Sequence, residues 1–285
     1  MPAKSQVSQA QKQDYAEQGY LIIRGAFDAA RIRSLVDAVD RLIDRALDGK
    51  VALEWIGDSK QRMPERITGM LLPDKYDSAC SDWLEADVIP LIESLLGSPV
   101  RYSKVGMLTG GGGKPYVQDW HHDLPNPTRV VDPAVVFDHE PFWFTQFNAS
   151  LKPGDRFLQI IPGSHRRNAT PAEAEAFQRK SDGNLPGEMT VELEPGDIAL
   201  YNANLWHRGF NPQGEFRWTM HSVFWRPDFP VMSHEAGQRE ALLTPGHLDR
   251  MPPRTRRTIQ SYLDAYPAQK PQGLLDVFKS RHASL

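Results

Sequence analysis

A short motif near the middle of the chain carries side chains that bind metal ions. Its sequence is Gln118-Asp-Trp-His-His-Asp-Leu, so that His121 and Asp123 are two residues apart. On an extended strand such residues project to the same side, where an imidazole and a carboxylate can take adjacent positions on one metal ion. Taken alone, the pair is better explained as a surface pair hydrogen-bonded to itself, and a metal site needs a third ligand.

A third ligand is available in the second half of the chain. His207 comes shortly after the turn Glu194-Pro-Gly-Asp, which places it on a late strand. Two histidines and one carboxylate with open positions are the ligand set of non-haem Fe(II) oxygenases. Arg217 follows His207 by ten residues, across the turn Asn211-Pro-Gln-Gly. In a hairpin this guanidinium can lie beside the metal ligand and bind one carboxylate of a molecule whose other end reaches the metal.

His165 is the alternative third ligand. Its context, Pro162-Gly-Ser-His-Arg, indicates a turn, and the residue ten positions after it is Glu175, which cannot bind a carboxylate as Arg217 can. Other histidines lie in polar or loop contexts, where a solvated or structural role is expected: His139, His234, His247 and His282.

The elements that must position these residues differ between the two ends of the chain. The first part, residues 1–99, is predicted to be mainly helical. Its predicted elements are a polar helix at 9–18 that stops at Gly19, a strand at 20–24, and helices at 29–47 and 87–96. Apolar residues in 29–47 recur with the spacing of an amphipathic helix. Residues 49–85 show no clear period and are predicted to be loop, with room for short helices.

From residue 100 the chain changes to short strands separated by Gly, Pro, Asn and Asp. The predicted strands are 100–108, 116–123, 142–151, 156–161, 189–193, 197–202, 205–210 and 216–226. Short strands with turn signals between them are typical of a β-sandwich or barrel. We therefore predict a mainly β fold with packed helices, whose core is a double-stranded β-helix (jelly-roll, cupin-like).

The chain is predicted to form one domain over residues 1–285, with the core strands in 100–226 and a C-terminal extension in 227–285. Residues 254–278 of this extension are predicted to be helical and to pack onto the sheet. Residues 170–188 interrupt the strands with a helix and a loop, for which a lid and an ordinary surface loop are the two interpretations.

Composition argues against several function classes. The 285 residues are 40% apolar and 24% charged with a net charge of −3, and they contain no basic stripe or long block of like charge. We therefore expect no nucleic-acid or membrane partner, and these numbers do not indicate an oligomeric state. No apolar run is long enough to span a bilayer, and the first residues lack the apolar core of a secretory signal. The single cysteine, Cys80, fits a reducing compartment, which predicts a cytoplasmic location.

Several motifs follow one another in a recognisable order. They are Asp14-Tyr-Ala-Glu-Gln-Gly-Tyr-Leu-Ile-Ile-Arg-Gly, Trp120-His-His-Asp, Ile161-Pro-Gly-Ser-His-Arg, Leu193-Glu-Pro-Gly-Asp, and His207-Arg-Gly with Asn211 and Arg217. In this order and at these spacings, from about Gln13 to Trp225, the chain resembles the phytanoyl-CoA dioxygenase family of 2-oxoglutarate-dependent oxygenases. The resemblance implies a double-stranded β-helix with helices outside it. It also implies Fe(II) at His121, Asp123 and His207, with the C5 carboxylate of 2-oxoglutarate on Arg217.

Additional site residues follow from the same resemblance. Asn148 matches a position where family members place a residue beside 2-oxoglutarate, and Gln146 shares its strand face. We expect Asn148 to contact 2-oxoglutarate and Gln146 to contact it or the substrate, the alternative being a pair of hydrogen-bonded core amides. The residues expected to contact the substrate are His221, which shares a strand face with Arg217, Met107 and His122. For His221 a core or rim position is the alternative.

The chain departs from the family just upstream of the metal motif. Many members carry a Lys-Pro pair there. In this chain the pair, Lys114-Pro, follows a run of four glycines in Met107-Leu-Thr-Gly-Gly-Gly-Gly-Lys-Pro, so the family position of the lysine does not carry over to Lys114. A glycine run of this kind indicates a mobile or tightly turned loop at the mouth of the pocket. The family pattern therefore does not inform on the substrate of this chain.

The resemblance also implies a reaction. Fe(II), 2-oxoglutarate and O2 would be used to hydroxylate an unactivated C–H of a small-molecule metabolite, with release of succinate and CO2. Asp123 favours hydroxylation over halogenation, because related halogenases lack this carboxylate. The alternatives are a cupin-like metal-dependent hydrolase or isomerase that does not use 2-oxoglutarate, and a binding module without activity. Arg217 argues against the first alternative, and the intact ligand set argues against the second.

Overall fold

The computed structural model describes residues 6–110, 113–123 and 144–266. Within them, the N-terminal elements lie where the sequence predicts them. The first helix ends at Gly19, whose φ of 79° is in the left-handed region that glycine adopts without strain. It begins with a capping box: the backbone N–H of Gln11 donates to Ser8 Oγ, and the backbone N–H of Ser8 donates to Gln11 Oε1. The predictions for 9–18, 20–24 and 29–47 are confirmed.

The α-helices are α1 Gln9–Gln18, α2 Ala29–Leu47, α3 Ser78–Trp83, α4 Ile89–Leu96, α5 Pro171–Arg179, α6 Arg239–Leu242 and α7 Pro253–Ala265. A π-helical turn, Leu84–Val88, joins α3 to α4, so the helix predicted at 87–96 is the second half of a longer helical segment. The helix predicted at 254–278 is confirmed as α7 up to Ala265, and its remainder lies outside the described residues. None of the described helices is long and apolar enough to cross a bilayer.

The strands are β1 Tyr20–Ile23, β2 Glu54–Trp55, β3 Pro64–Thr68, β4 Arg101–Leu108, β5 Tyr116–Val117, β6 Phe144–Ser150, β7 Asp155–Ile160, β8 Met189–Leu193, β9 Ile198–Tyr201, β10 His207–Asn211 and β11 Thr219–Trp225. They form two antiparallel sheets. The larger has the order β1-β9-β6-β11-β4-β3-β2 and the smaller the order β5-β10-β7-β8. Two antiparallel sheets facing each other, with helices outside, are the predicted jelly roll.

The larger sheet separates the main hydrophobic core from the cavity between the sheets. Strands β4, β6 and β11 alternate side chains between the two sides. On one side Val105, Phe147 and Phe224 pack with the apolar residues of α2, α3, α4 and α7 into one cluster. The other side faces the smaller sheet and bears mostly polar residues near the middle of the strands.

The largest difference from the predicted elements is in residues 49–85. Instead of loop, the chain forms the hairpin β2–β3, and β3 pairs with β4, which extends the larger sheet by two strands. Strand β3 lies between β4 and the edge strand β2, with Ile67 buried and Arg66 and Thr68 exposed. Because β2 and β3 have only two and five residues, no period emerges in the sequence and the signal is weak. The strand predicted at 116–123 is also shorter, since β5 ends at Val117 and only His121 adds a bridge, to His207.

A buried ion pair ties the C-terminal extension to β4. Arg101 Nη1 lies 3.2 Å from Glu235 Oε2, and both side chains are fully buried. Arg101 Nη2 also donates to the Pro230 carbonyl at 2.9 Å, and the Tyr262 hydroxyl donates to the Glu235 carbonyl at 2.7 Å. The network joins β4, the segment after β11 and α7.

Replacing Arg101 with methionine is expected to lower the free energy of unfolding by about 3–5 kcal/mol, because Glu235 would keep a buried charge without its partner. Denaturant unfolding monitored by circular dichroism measures this. The double variant Arg101→Met with Glu235→Gln should recover part of the loss, since the uncompensated charge is then removed. A loss below about 1 kcal/mol, the range of exposed ion pairs, would contradict the structural role assigned to the pair.

Candidate metal centre and active site

Three side chains meet at one end of the space between the two sheets. His121 and His207 are paired through their backbones, with the His207 N–H donating to His121 O at 2.8 Å and the His121 N–H donating to His207 O at 3.1 Å. Asp123 follows two residues later, and its N–H donates to the Ala203 carbonyl. One ligand atom from each of His121, Asp123 and His207 lies within 4.8 Å of the others. The sequence prediction that these three residues converge is therefore confirmed.

Hydrogen bonds orient both imidazoles toward a common centre. His121 Nδ1 lies 2.8 Å from the Asp119 carbonyl, and His207 Nδ1 lies 2.8 Å from the Leu205 carbonyl. A carbonyl only accepts, so each Nδ1 is the donor and each Nε2 is the ring nitrogen that would bind a metal. Burial lowers the pKa of His207, although the negative charge of Asp123 acts in the opposite direction. The lowered pKa favours the neutral imidazole. Two imidazoles and one carboxylate fit a divalent metal ion.

Gln146 on β6 holds the carboxylate of this triad. Its Nε2 donates to Asp123 Oδ2, and its Oε1 accepts from the Tyr201 hydroxyl at 2.9 Å. Asp123 Oδ1 is left 3.9 Å from His207 Nε2. Gln146 lines the cavity, as expected of a cofactor or substrate contact, but its amide is engaged in fixing Asp123. A hydrogen bond of this kind orients a metal-binding carboxylate.

Arg217 lies in the same cavity, and one of its guanidinium nitrogens has no hydrogen-bond partner among the described residues. Its side chain is buried, with Nε donating to Thr219 Oγ1 at 2.9 Å and Nη1 donating to the Tyr116 hydroxyl at 3.1 Å. The guanidinium lies 4.9 Å from the centre of the Phe157 ring. Nη2 is buried and has no hydrogen-bond partner among the described residues. Because a buried donor without a partner is costly, this group is suited to an acceptor that the described residues do not supply.

Asn148 and His221 form a hydrogen-bonded pair between the triad and Arg217. His221 Nδ1 lies 2.9 Å from Asn148 Oδ1 and 3.1 Å from the Phe147 carbonyl, so it is the donor to both. Burial, followed by the charges of Arg66 and Arg217, lowers the pKa of His221 to about 4. His221 is thus neutral at physiological pH, with Nε2 free to accept. Both residues line the cavity, as expected.

His122 and Met107 are less suited to the substrate contacts expected of them. His122 projects to the opposite side of the chain from His121, is buried, and packs against Phe177 of α5 and Trp206, at ring-centre distances of 6.2 Å and 4.7 Å. It does not line the cavity, because neighbouring residues of an extended segment face opposite sides. Met107 lines the cavity but is only 1% exposed and belongs to the main core. The geometry therefore gives no support to the substrate contact expected of His122.

His165, the alternative third ligand, lies away from the triad. It is buried in the turn after β7, where its Nε2 lies 3.2 Å from the Ala16 carbonyl of α1. Its ring fills the space beside Gly19, where a Cβ would come within 2.6 Å of His165 Nδ1. The residue therefore packs the end of α1 onto the core. Of the other histidines, His139 and His282 lie outside the described residues, while His247 bonds the Leu71 carbonyl at 2.8 Å.

His165 is expected to make stability fall in acid. Burial lowers its pKa from 6.5 to about 4 in the folded protein. Between these values the unfolded chain binds a proton that the folded chain does not, so stability is highest above pH 6.5 and decreases as pH falls toward 4. The slope from one such group is up to about 1.4 kcal/mol per pH unit. Denaturant unfolding of wild type and His165→Gln across this range should show a shallower slope in the variant, and parallel slopes would contradict the assignment.

The cavity has a volume of about 800 Å³, within the range of small-molecule sites. Both sheets line it, and the hairpin β2–β3 supplies a wall that the sequence prediction did not include. Lining residues missed by sequence reasoning are Arg66, Thr68, Lys104, Tyr116 and Tyr201; His234, predicted to be solvated or structural, also lines it. Lys104 could have been predicted to line the cavity, since it shares the face of Gly106 and Leu108 on a predicted strand.

Residues 170–188, for which a lid was one of the two interpretations, place α5 against Trp120 and Trp206. None of these residues lines the cavity.

Comparison with known proteins agrees with this geometry. Residues 15–217 match the family model of phytanoyl-CoA dioxygenase (PhyH). No curated protein matches the chain.

Several solved structures share the fold. EctD from S. alaskensis, crystallised with 2-oxoglutarate and 5-hydroxyectoine, superimposes with a TM-score of 0.55 at 20% identity, over 77% of this chain and 76% of EctD. HygX from Streptomyces hygroscopicus, with nickel and 2-oxoglutarate bound, gives a TM-score of 0.59 at 17% identity, over 79% of this chain and 89% of HygX. SnoK, a non-haem alpha-ketoglutarate-dependent carbocyclase from nogalamycin biosynthesis, superimposes with a TM-score of 0.57 at 17% identity, over 89% of this chain and 94% of SnoK. These likenesses confirm the jelly-roll fold, and the family match covers most of the chain. The chain belongs to the phytanoyl-CoA dioxygenase (PhyH) family.

Proposed function

We propose that the protein is an Fe(II)- and 2-oxoglutarate-dependent dioxygenase that hydroxylates an unactivated C–H of a small-molecule metabolite. Succinate and CO2 would be released. The observation that carries the proposal is the uncommitted Nη2 of Arg217 in the same cavity as His121, Asp123 and His207. Family membership and the 2-oxoglutarate bound in EctD and HygX support it.

The chain's own groups would divide the work. The Nε2 atoms of His121 and His207 and the carboxylate of Asp123 would hold the metal on one face, leaving other positions open. Arg217 would bind the far carboxylate of 2-oxoglutarate, with Tyr116 and Thr219 holding the guanidinium in place. Iron with bound 2-oxoglutarate supplies oxidation of C–H bonds by O2, coupled to decarboxylation.

Asn148 and His221 would bind beside 2-oxoglutarate rather than act on the metal. Asn148 Oδ1 accepts from His221, which leaves the Asn148 amide N–H groups to donate. The apolar residues Phe144 and Trp225 line the same cavity and would exclude water from the reacting groups. Asp123 occupies the ligand position that a halide would need, so hydroxylation is favoured over halogenation.

The cupin-like hydrolase or isomerase remains the competing proposal. Such an enzyme has no need of a buried group that binds a carboxylate, and the unpaired Nη2 of Arg217 would then lower stability without serving the reaction.

We also propose that residues 1–285 act as one domain, in the cytoplasm and without a nucleic-acid or membrane partner. The pairing of β1 with β9 and of β3 with β4 supports one domain, because the N-terminal part completes the core sheet.

The test is an anaerobic titration of metal-free protein with Fe(II) and then with 2-oxoglutarate. Bidentate chelation of a 2-oxo acid to Fe(II) at an open facial site gives a weak visible charge-transfer band, and we expect that band to appear. Folded, iron-loaded protein without the band would overturn the proposal and favour the cupin-like alternative. Metal-dependent turnover without O2 consumption would do the same.

A further inference from the structure

The cavity carries positive charge that the proposed reaction does not use. Its charged lining residues are Glu65, Arg66, Lys104, Lys114, Asp123 and Arg217. Asp123 and Arg217 are assigned to the metal and to 2-oxoglutarate, and Lys114 lies 3.9 Å from Glu65. Arg66 and Lys104 remain, and within the described parts of the chain neither side chain has a hydrogen bond or an ion pair. Two uncommitted cations in one cavity indicate an anionic ligand.

Strand register places both cations on the wall that faces the triad. Arg66 is paired with Leu108 across β3 and β4, and Lys104 is paired with Val223 across β4 and β11. Val223 is in turn paired with Gln146, whose amide holds Asp123. Adjacent strands are about 4.8 Å apart, so the Lys104 and Gln146 backbones are separated by about 10 Å. A molecule of ordinary metabolite size can therefore touch Lys104 and the metal position together.

The surroundings of Lys104 suit an acid with an apolar body. His234 lies next to it, with Nε2 3.3 Å from Ser103 Oγ, and burial followed by the charge of Lys104 lowers the His234 pKa to about 4. This imidazole is neutral and adds a hydrogen-bonding group without a second charge. Val223, Trp225 and Phe144 form the apolar wall beside it.

Charge balance leads to the same conclusion, and this step rests on the proposed function. A divalent metal, the Asp123 carboxylate, dianionic 2-oxoglutarate and the Arg217 guanidinium together are neutral. Among the described residues, Arg66 and Lys104 then leave the occupied cavity with unbalanced positive charge, which raises the local concentration of anions. A neutral substrate would leave both cations without a partner.

We infer that the substrate is an acid, a carboxylate or a phosphate monoester, whose anionic group is bound by Lys104 while its apolar body lies along Trp225 and Phe144. Arg66 lies on the neighbouring strand β3 and is paired with Leu108, four residues after Lys104. It attracts the anion at longer range. Lys104 is thus a specificity-determining residue, and Arg66 assists it.

Ligand binding measured without turnover tests this inference. Protein loaded with Zn(II) and 2-oxoglutarate is screened by saturation-transfer NMR against matched pairs of small molecules with varied bodies. Each carboxylic acid is paired with its primary amide, and each phosphate monoester with its alcohol. We expect the charged member to bind and the neutral member to bind at least about tenfold more weakly, as charged hydrogen bonds require. The two kinds of pair show whether the group is a carboxylate or a phosphate.

Variants assign the effect to named residues. For the tightest acid, Lys104→Met should raise Kd about tenfold or more, Arg66→Met severalfold, and Lys104→Arg should retain binding. Lys50→Met removes the same charge at a remote exposed site, where Lys50 is paired with Asp48 at 2.9 Å, and should change nothing. Because Lys104 and Arg66 are exposed, these variants are expected to keep the wild-type unfolding midpoint.

Two outcomes would overturn the inference: equal binding of acids and amides throughout the panel, and acid binding that Lys104→Met leaves unchanged. The Fe(II) and 2-oxoglutarate titration is run on the same proteins to keep the two proposals apart. A charge-transfer band without acid preference overturns the substrate class alone. Acid preference dependent on Lys104, without the band, overturns the dioxygenase proposal and leaves the anion site standing.

Discussion

Replacing His207 with alanine is expected to abolish metal binding under conditions where the wild type is saturated. Removing an outer hydrogen-bond partner of a metal ligand already costs about 10–100-fold in affinity, and removing the ligand itself should cost more than about a hundredfold. The backbone pairing of His207 with His121 and the neighbouring strand β7 does not depend on the imidazole, so the fold should persist. Isothermal titration with Fe(II) under anaerobic conditions, with metal content after gel filtration, measures the loss.

His221→Ala is the matched control, because His221 lines the same cavity but lies outside the triad. This variant should keep its metal content, although its affinity for 2-oxoglutarate can fall through the loss of the contact to Asn148. If His207→Ala bound Fe(II) like the wild type, the triad would not be the metal site. If both variants lost metal equally, the assignment of ligands would be equally wrong.

Arg217→Met is expected to weaken 2-oxoglutarate binding by about 2–5 kcal/mol, the cost of truncating one partner of a buried charged pair. The corresponding rise in Kd is roughly thirtyfold or more. Metal content should be unchanged, since the hydrogen bonds of Arg217 go to Thr219 and Tyr116 and not to the triad. Titration of 2-oxoglutarate into the Fe(II)-loaded variant, followed by the charge-transfer band, measures the change.

Arg217→Lys separates charge from geometry. Lysine keeps the positive charge but lacks the planar fork of donors, so this variant should recover only part of the affinity. Tyr116→Phe, which removes the acceptor that holds Nη1, should cause a smaller loss. Unchanged 2-oxoglutarate affinity in Arg217→Met would show that the carboxylate is bound elsewhere and would remove the main support for the dioxygenase proposal.

The elements that the sequence predicted best are those with a long, unbroken pattern. Helix α2 matches its predicted bounds because apolar residues recur over 19 residues at helical spacing. The hairpin β2–β3 was missed because its strands have two and five residues, too few for a period to emerge. Strand β5 was predicted too long because the segment 118–123 is extended but pairs only at isolated positions.

The site was predictable where spacing alone determines geometry. His121 and Asp123 converge because extended residues two apart share a side. The expected hairpin between His207 and Arg217 does not form, since β10 lies in the smaller sheet and Arg217 precedes β11 of the larger sheet, but both residues line the same cavity because the two sheets face each other. The partner of Gln146 was not predictable, since strand alternation gives the side of a residue but not which distant segment meets it there. Lys104 and Arg66 illustrate the same limit: their significance depends on which charges surround them in the described part of the cavity, and the sequence does not show those neighbours.

The two faces of β11 also restrict which sequence changes this protein can accept in evolution. His221, Val223 and Trp225 line the cavity, whereas Met220 and Phe224, one residue out of phase, lie in the main core. Deleting or inserting a single residue in this strand would exchange the two sets, driving an imidazole into the hydrophobic core and a methionine and a phenylalanine into the cavity. New substrate preferences can therefore arise here by point substitution, while changes in chain length are tolerated only in the connections between strands.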